Sequence, residues 1–293
     1  MLILEQWING LALGGVYALI ALGFTLIFGV LKLFHMAHGD VFMFTGYIVV
    51  SIVVFAFGGL PFFVVLLIAM AVASLLGMAV ERVAFRPYRQ SDEIIPLISG
   101  IGMSLILQNL ALLIWGPGQI NYSFNVGIGN VSFGGIQITG IRLVILAASI
   151  VIVLIFNYWL YRTRTGRAVR ATAADPQTAS MMGIRPELII LLTFGVGSAL
   201  AGAATALVGA LYGAIYPALG FSMGLKAFAA SILGGLGNMT GAVVGGLLLG
   251  VLEVFTASYI NVAYQDAIAM GIMILVLLIR PNGLLGKAVE DKL

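Results

Sequence analysis

Cysteine is absent from this chain, and only 9% of its 293 residues carry charge. The first absence excludes disulfides, thiolate metal sites and cysteine nucleophiles together, while saying nothing about redox compartment. The second, set beside a hydrophobic content of 61%, describes a chain whose solvent is lipid, because long apolar stretches are broken only by short polar connections. Histidine is nearly as scarce. His35 and His38 stand three apart with Asp40 close by, but two imidazoles and one carboxylate with no other His or Cys make a poor metal site. No metal is expected. Also missing are the Gly-x-x-x-x-Gly-Lys-Ser/Thr phosphate loop and any serine or aspartate motif for catalysis. The chain is therefore not expected to be an enzyme, to hold a catalytic residue or to bind a cofactor, and any ATP chemistry must come from another chain. A net charge of +3 would hint at nucleic acid in a soluble domain, but here nearly every cation flanks an apolar span, where membrane orientation explains it. No nucleic-acid partner is expected. Met1 to Trp7 carries no Lys or Arg ahead of the apolar run, unlike a cleavable signal, so the first span is expected to stay in the mature protein.

A crossing helix needs roughly 20 apolar residues. On that rule, spans fall near Trp7–Phe28, Val41–Phe57, Phe62–Val80, Ile94–Trp115, Leu143–Leu160 and Leu188–Leu211, with a last one ending at Ile279. The expected fold class is an all-α polytopic membrane bundle of about eight spans, some short or broken, forming one transmembrane domain over the whole chain. Loops rich in Lys and Arg stay in the cytoplasm. Placing Lys32, Arg82, Arg86, Arg89, Arg162, Arg164, Arg167, Arg170, Arg185, Arg280, Lys287 and Lys292 inside leaves only Arg142 and Lys226 outside. The N-terminus is then periplasmic, the C-terminus cytoplasmic, and the uncharged loop Gly116–Gly140 lies on the outer face.

Between Leu211 and the last span, a Gly-rich region must enter the membrane and return. Its apolar arms, Ser222–Leu236 and Thr240–Ser258, are about 15 and about 19 residues long, short or marginal for crossing. Between them lies Gly234-Gly-Leu-Gly-Asn-Met-Thr-Gly241, which predicts two short helices meeting at a turn inside the membrane, where protein or a water-filled cavity must satisfy the exposed backbone. Gly237 and Asn238 are then candidates for a solute path. The bland alternative is that the glycines, Gly237, Gly241, Gly245, Gly246 and Gly250, only let helices pack closely.

A similar interruption falls at "KLFHMAHGDVFMF", Lys32 to Phe44. Asp40, after Gly39, is expected to cap the second helix through its carboxylate, with a pore-lining role for this turn as the minority reading. Two interrupted regions, one toward each end, point to an inverted repeat. In the fourth span Gly100, Ser104 and Gln108 recur every four residues and share a face, beside Asn109. Such polar groups serve as hydrogen-bonding glue between helices or as part of a solute path.

The stretch from Arg162 to about position 187 concentrates five of the 14 Lys and Arg residues. Asp175 followed by Pro176 is an N-cap with proline at the first helical position, and Gly183 is placed as a C-terminal stop. Gly166 to Ala174 can form a further helix packed on the first. Small residues, Ala171, Ala173, Ala174, Ala179 and Ser180, are expected on accessible faces where another protein could come close, so a docking helix is preferred over a merely solvated basic loop.

The pattern Gly166-x-x-x-Arg170-Ala171-x-x-x-Asp175-x-x-x-Ala179-x-x-x-Gly183-Ile184 resembles the cytoplasmic coupling loop of permease subunits in bacterial branched-chain amino acid ABC importers. So do "NGLALGGVYALIALGFTLIFGVLKLFHMAHGD", "SILGGLGNMTGAVVGGLLLGVLE" and "RPNGLLG", so that the resemblance spans the chain. His35 is a departure, and no role passes to it. The resemblance implies a multi-pass inner-membrane subunit that pairs with a second, related permease, docks two cytoplasmic ATPases, and receives substrate from a periplasmic binding protein. Specificity is expected to reside largely in that binding protein, because Asp40, Glu253 and Asp266 all fall near the ends of their spans and leave no mid-membrane carboxylate–cation pair. The rivals are an ion-coupled secondary transporter, which needs an ionisable residue at mid-depth, and a channel. Relatives of this permease type also extend the cargo to urea or short amides.

Overall fold

The computed structural model describes residues 2–56, 60–89, 91–92, 94–121, 129, 131–133 and 136–286. The expected end of the second span at Phe57, most of the loop 122–135, and both Lys287 and Lys292 lie outside the described residues. Eleven α-helices are described: α1 (Leu2–Leu31), α2 (His38–Val50), α3 (Phe62–Val80), α4 (Ile94–Trp115), α5 (Gly140–Arg162), α6 (Arg164–Ala174), α7 (Pro176–Met181), α8 (Pro186–Tyr212), α9 (Leu219–Gly234), α10 (Met239–Tyr259) and α11 (Gln265–Ile279). Widened π turns extend α2 through Ser51–Ala56 and α3 through Glu81–Phe85. Among the described residues, seven helices are long and apolar enough to cross a membrane, and His38–Val53 and Leu219–Gly234 are shorter apolar helices. The protein is a multi-pass membrane protein.

Two helices form the centre. α1 and α8 are the most deeply buried spans, apolar on every side as a helix surrounded by other helices should be. They cross where Gly23 and Gly197 face each other, too close for a Cβ on either. Each then takes a second long helix through small residues. α1 packs on α10 with Gly10 against Val251, Gly14 against Leu247 and Gly246 against Ala18; α8 packs on α3 with Gly195 against Ser74 and Gly202 against Ala73. Where hydrophobic burial does not separate helix from lipid, such close approach is what holds spans together.

The short helices complete the symmetry. α2 packs on α8, α3 and α4, while α9 packs on α1, α10 and α11. Helices α1–α4 thus correspond to α8–α11 with reversed sense, the arrangement of an inverted repeat. The N-termini of α2 and α9 meet inside the bundle, where a Cβ on Gly39 would come within 2.7 Å of the Gly224 Cα.

Two small pairings depart from an all-helical chain. β1 (Ile120–Asn121) pairs antiparallel with β4 (Ala214–Ile215), and β2 (Val131–Phe133) pairs with β3 (Ile136–Ile138). The sequence Val-Ser-Phe-Gly-Gly-Ile-Gln-Ile alternates around a Gly pair, which is a hairpin signal inside a loop read only as uncharged.

The Gly-rich region is a correction. Its turn, Gly235 to Asn238, does not lie in the bundle interior: it sits at the end that carries Lys32 and Arg170, with Leu236 and Gly237 exposed. Leu284 and Leu285 bond back to Leu233 and Gly234 there. α10 runs the full span, and the interior break comes one connection earlier, at positions 213–218. Ala214 and Ile215 keep that stretch apolar, which hid the break from a count of hydrophobic residues.

Candidate functional site

Two regions carry the residues singled out by the sequence. The first is the helix pair α6–α7 at the arginine-rich end. Thr163 starts α6, its hydroxyl accepting from the Gly166 N–H at 3.1 Å. Gly166 is buried against the Trp159 and Leu160 carbonyls, where a side chain would collide, so the chain can fold back tightly onto the end of α5. Arg170 lies over the Tyr161 ring, 5.0 Å from its centroid.

Asp175 caps α7, accepting from the Gln177 N–H at 2.8 Å and from the Thr178 hydroxyl. These bonds hold its carboxyl below the usual aspartate range, the Thr178 side chain contributing most. Gly183 follows with φ +82°, a left-handed conformation that favours glycine. Ala171 and Ala173 are half-buried, and Ala174 and Ser180 are exposed. Ala179 is the correction in this region. It was expected on an accessible face, yet it is only 4% exposed, because α7 is seated on α6 and α8 and a small residue is needed between them. The large apolar residues exposed at the end of α7 are Met181 and, just past it, Met182, 87% and 80% exposed. The sequence reading missed both, since it looked for small residues.

The second region is the junction of α2 and α9. Asp40 is buried there and does not cap α2, which begins at His38 with Ala37 before it and no side-chain cap. Its carboxylate instead reaches across to the middle of α4. The Ser104 hydroxyl donates to Oδ2, the Gln108 amide donates to Oδ1 at 3.0 Å, and the same amide lies 3.3 Å from the Ser104 oxygen. Gly39, Asp40, Ser104 and Gln108 are thus brought together. Gly237 and Asn238 are not: they line a groove of about 510 Å³ at the arginine-rich end, shared with Lys32 and Arg170. Asn238 caps α10 by accepting from the Gly241 N–H at 3.1 Å and donates to the Leu285 carbonyl at 2.6 Å.

A third feature was not anticipated. Lys226, placed outside by charge counting, is buried, with its ammonium 2.7 Å from Glu253 and 2.9 Å from Asp266. The Tyr17 hydroxyl donates to the other Glu253 oxygen at 2.7 Å. A carboxylate–cation pair therefore does lie within the bundle. Lone charges at Lys226 and Glu253, each inside an otherwise apolar helix, were the signal for it. Among the described residues, no three His, Asp or Glu side chains gather into a metal site.

A bundle of membrane-length helices in which two shorter helices meet at the core, with a capped helix pair at one end, has the architecture of a membrane transport permease. The family described as branched-chain amino acid transport system, permease component, matches residues 6–277. The chain belongs to that family. It is 40% identical to the high-affinity branched-chain amino acid transport system permease protein BraD of Pseudomonas aeruginosa, over 99% of this chain and 97% of the relative. It is 38% identical to LivH of Escherichia coli, a protein of the same description, with the same coverage. A probable branched-chain amino acid transport permease of Methanocaldococcus jannaschii is 29% identical over 92% of this chain and 88% of its own length.

Proposed function

We propose that this chain forms the translocation path of an ATP-driven importer of branched-chain or related amino acids in the bacterial inner membrane. Its N-terminus is periplasmic and its C-terminus cytoplasmic. It pairs with a second, related permease, takes substrate from a periplasmic binding protein, and docks two cytoplasmic ATPases that supply the ATP chemistry. The relatives named for branched-chain amino acid transport support the substrate class.

The observation that carries the reading is the tip of α7. Met181 and Met182 stand next to each other in water, on a helix capped by Asp175 and seated by Ala179. Adjacent exposed methionines on a rigid support are the surface a partner covers, since their flexible thioethers repack against it. Changing both to Asp should leave insertion and permease pairing intact. ATPase copurification and ATP-driven uptake should each fall by about tenfold or more. Full ATPase binding and uptake in that variant would leave this loop as a basic segment that only sets orientation.

The buried Lys226–Glu253 pair favours one rival, an ion-coupled transporter. A protonophore separates the two: uptake that collapses while ATP is still present belongs to the rival.

A further inference from the structure

A groove of about 410 Å³ runs between the end of the α3 span and the start of α8. Arg82, Arg86, Arg89 and Arg185 line it, against two carboxylates, Glu81 and Glu187. Arg89 is bonded to the buried Glu81, and the exposed Arg86 is bonded to Glu187 at 2.8 Å. Each carboxylate thus has its own arginine. Arg82 and Arg185 are exposed and, among the described residues, form no hydrogen bond or ion pair. Membrane orientation asks only that cations lie at this end. It does not ask that segments 101 positions apart, at Arg86 and Glu187, bring four guanidiniums to one groove.

Depth decides what can reach them. The α3 span runs Phe62–Tyr88, and roughly 20 helical residues cross the hydrocarbon core, so a crossing that starts at Phe62 leaves it at about position 82. α8 begins its own crossing at Pro186. The guanidiniums therefore lie at the level of lipid phosphates, and the surface below them is apolar. Phe63, Leu67, Leu75 and Val83 are all exposed and spaced by fours or eights, along one inclined ridge of the helix surface that ends beside Arg82. Leu188, also exposed, and Leu191 add apolar surface at the start of α8.

We propose that this groove binds an anionic phospholipid. The guanidiniums of Arg82 and Arg185 hold its phosphate, since their planar forks match phosphate oxygens, and an acyl chain lies along the exposed ridge of α3. Basic pockets between membrane helices hold anionic head groups in this way. A zwitterionic lipid brings its own cation to a groove that already has an excess of positive charge, so it is disfavoured. The assignment goes beyond the importer reading and needs only that the bundle spans a bilayer.

The full-length permease, purified in mild detergent with the chains that copurify with it and stripped of lipid, is titrated with phosphatidylglycerol or with phosphatidylcholine of the same acyl chains. Native mass spectrometry counts the bound lipid. Phosphatidylglycerol should bind about tenfold or more tightly than phosphatidylcholine. Arg82→Gln/Arg185→Gln should remove that preference, whereas Arg164→Gln/Arg167→Gln, the same change in charge on α6, should keep it. In the unmodified protein, phosphatidylglycerol with a photoreactive group close to its phosphate should label segments 82–89 or 185–191, a readout that needs no variant. Equal binding of the two lipids, a double variant at Arg82 and Arg185 that keeps the preference, or labelling confined to other segments would overturn the site. Displacement by inorganic phosphate at the concentration of the lipid would make it a site for free phosphate instead. Lipid that binds this chain alone but not the assembled complex would give the groove to a protein partner. Either result overturns the lipid assignment. None of these readouts involves uptake, so their failure leaves the importer reading standing.

Discussion

Lys226 is bonded to Glu253 and Asp266, and with Tyr17 it ties four helices together, α1, α9, α10 and α11. Asp266 is 61% exposed, but Lys226 and Glu253 are 7% and 4% exposed at their side chains, so removing one of that pair strands the other. Lys226→Met should cost about 3–5 kcal/mol, read as a lower midpoint of thermal unfolding in detergent, because an uncompensated buried charge is left behind. Adding Glu253→Gln should restore most of the loss. A single variant as stable as the parent would mean that water reaches Glu253. At this scale the sequence showed where the charges were but not their partners. Asp40 was read as a local cap because capping is visible within four residues, whereas Ser104 and Gln108 lie 64 and 68 positions away.

The helices themselves were more legible. α4 has the expected bounds, and α7 is the helix that Asp175, Pro176 and Gly183 specify, since each signal acts locally. What failed was the side of α7 that faces the protein, which depends on α6 and α8. Ala179→Arg should therefore unseat α7 rather than merely block a partner, seen as faster proteolysis of the loop in the isolated permease. The cap can be tested apart from docking: Asp175→Ala should speed hydrogen exchange at Gln177 and Thr178, and Asp175→Ser should restore protection. Since the Asp175 pKa is lowered in the folded loop, its contribution is present above the ordinary aspartate value of about 3.9 and is lost as pH falls through the lowered one. In the α9–α10 pair, backbone meets backbone at Gly234 and Gly241. Gly241→Leu should force these helices apart and abolish assembly, measured as loss of the paired permease on size-exclusion chromatography. A paired, transporting Gly241→Leu protein would show that the crossing tolerates a side chain.

Across the whole molecule, sequence length and hydropathy announced the bundle but not its inverted pairing, because α1 and α8 are apolar on every face and carry no periodic signal for which side meets which neighbour. Charge, in contrast, acts on the molecule as a whole. The described cations Lys32, Arg82, Arg86, Arg89, Arg162, Arg164, Arg167, Arg170, Arg185 and Arg280 lie toward one end of the bundle, the end of the α6–α7 pair and the Gly235–Asn238 turn. Arg142 begins α5 at the other end, and Lys226 is consumed by its buried pairing, so it exerts no orienting pull. The bias is therefore stronger than charge counting alone implied. Retention of Lys and Arg in the cytoplasm then predicts one orientation: a reporter fused at Gly129 should be active only as a periplasmic enzyme, and one at Arg164 only as a cytoplasmic enzyme. Converting Arg82, Arg86 and Arg89 to Gln should weaken this preference without reversing it, because the five arginines of 162–185 remain. A cytoplasmic readout at Gly129 in the parent protein would invert the α6–α7 pair into the periplasm, where no ATPase could reach it.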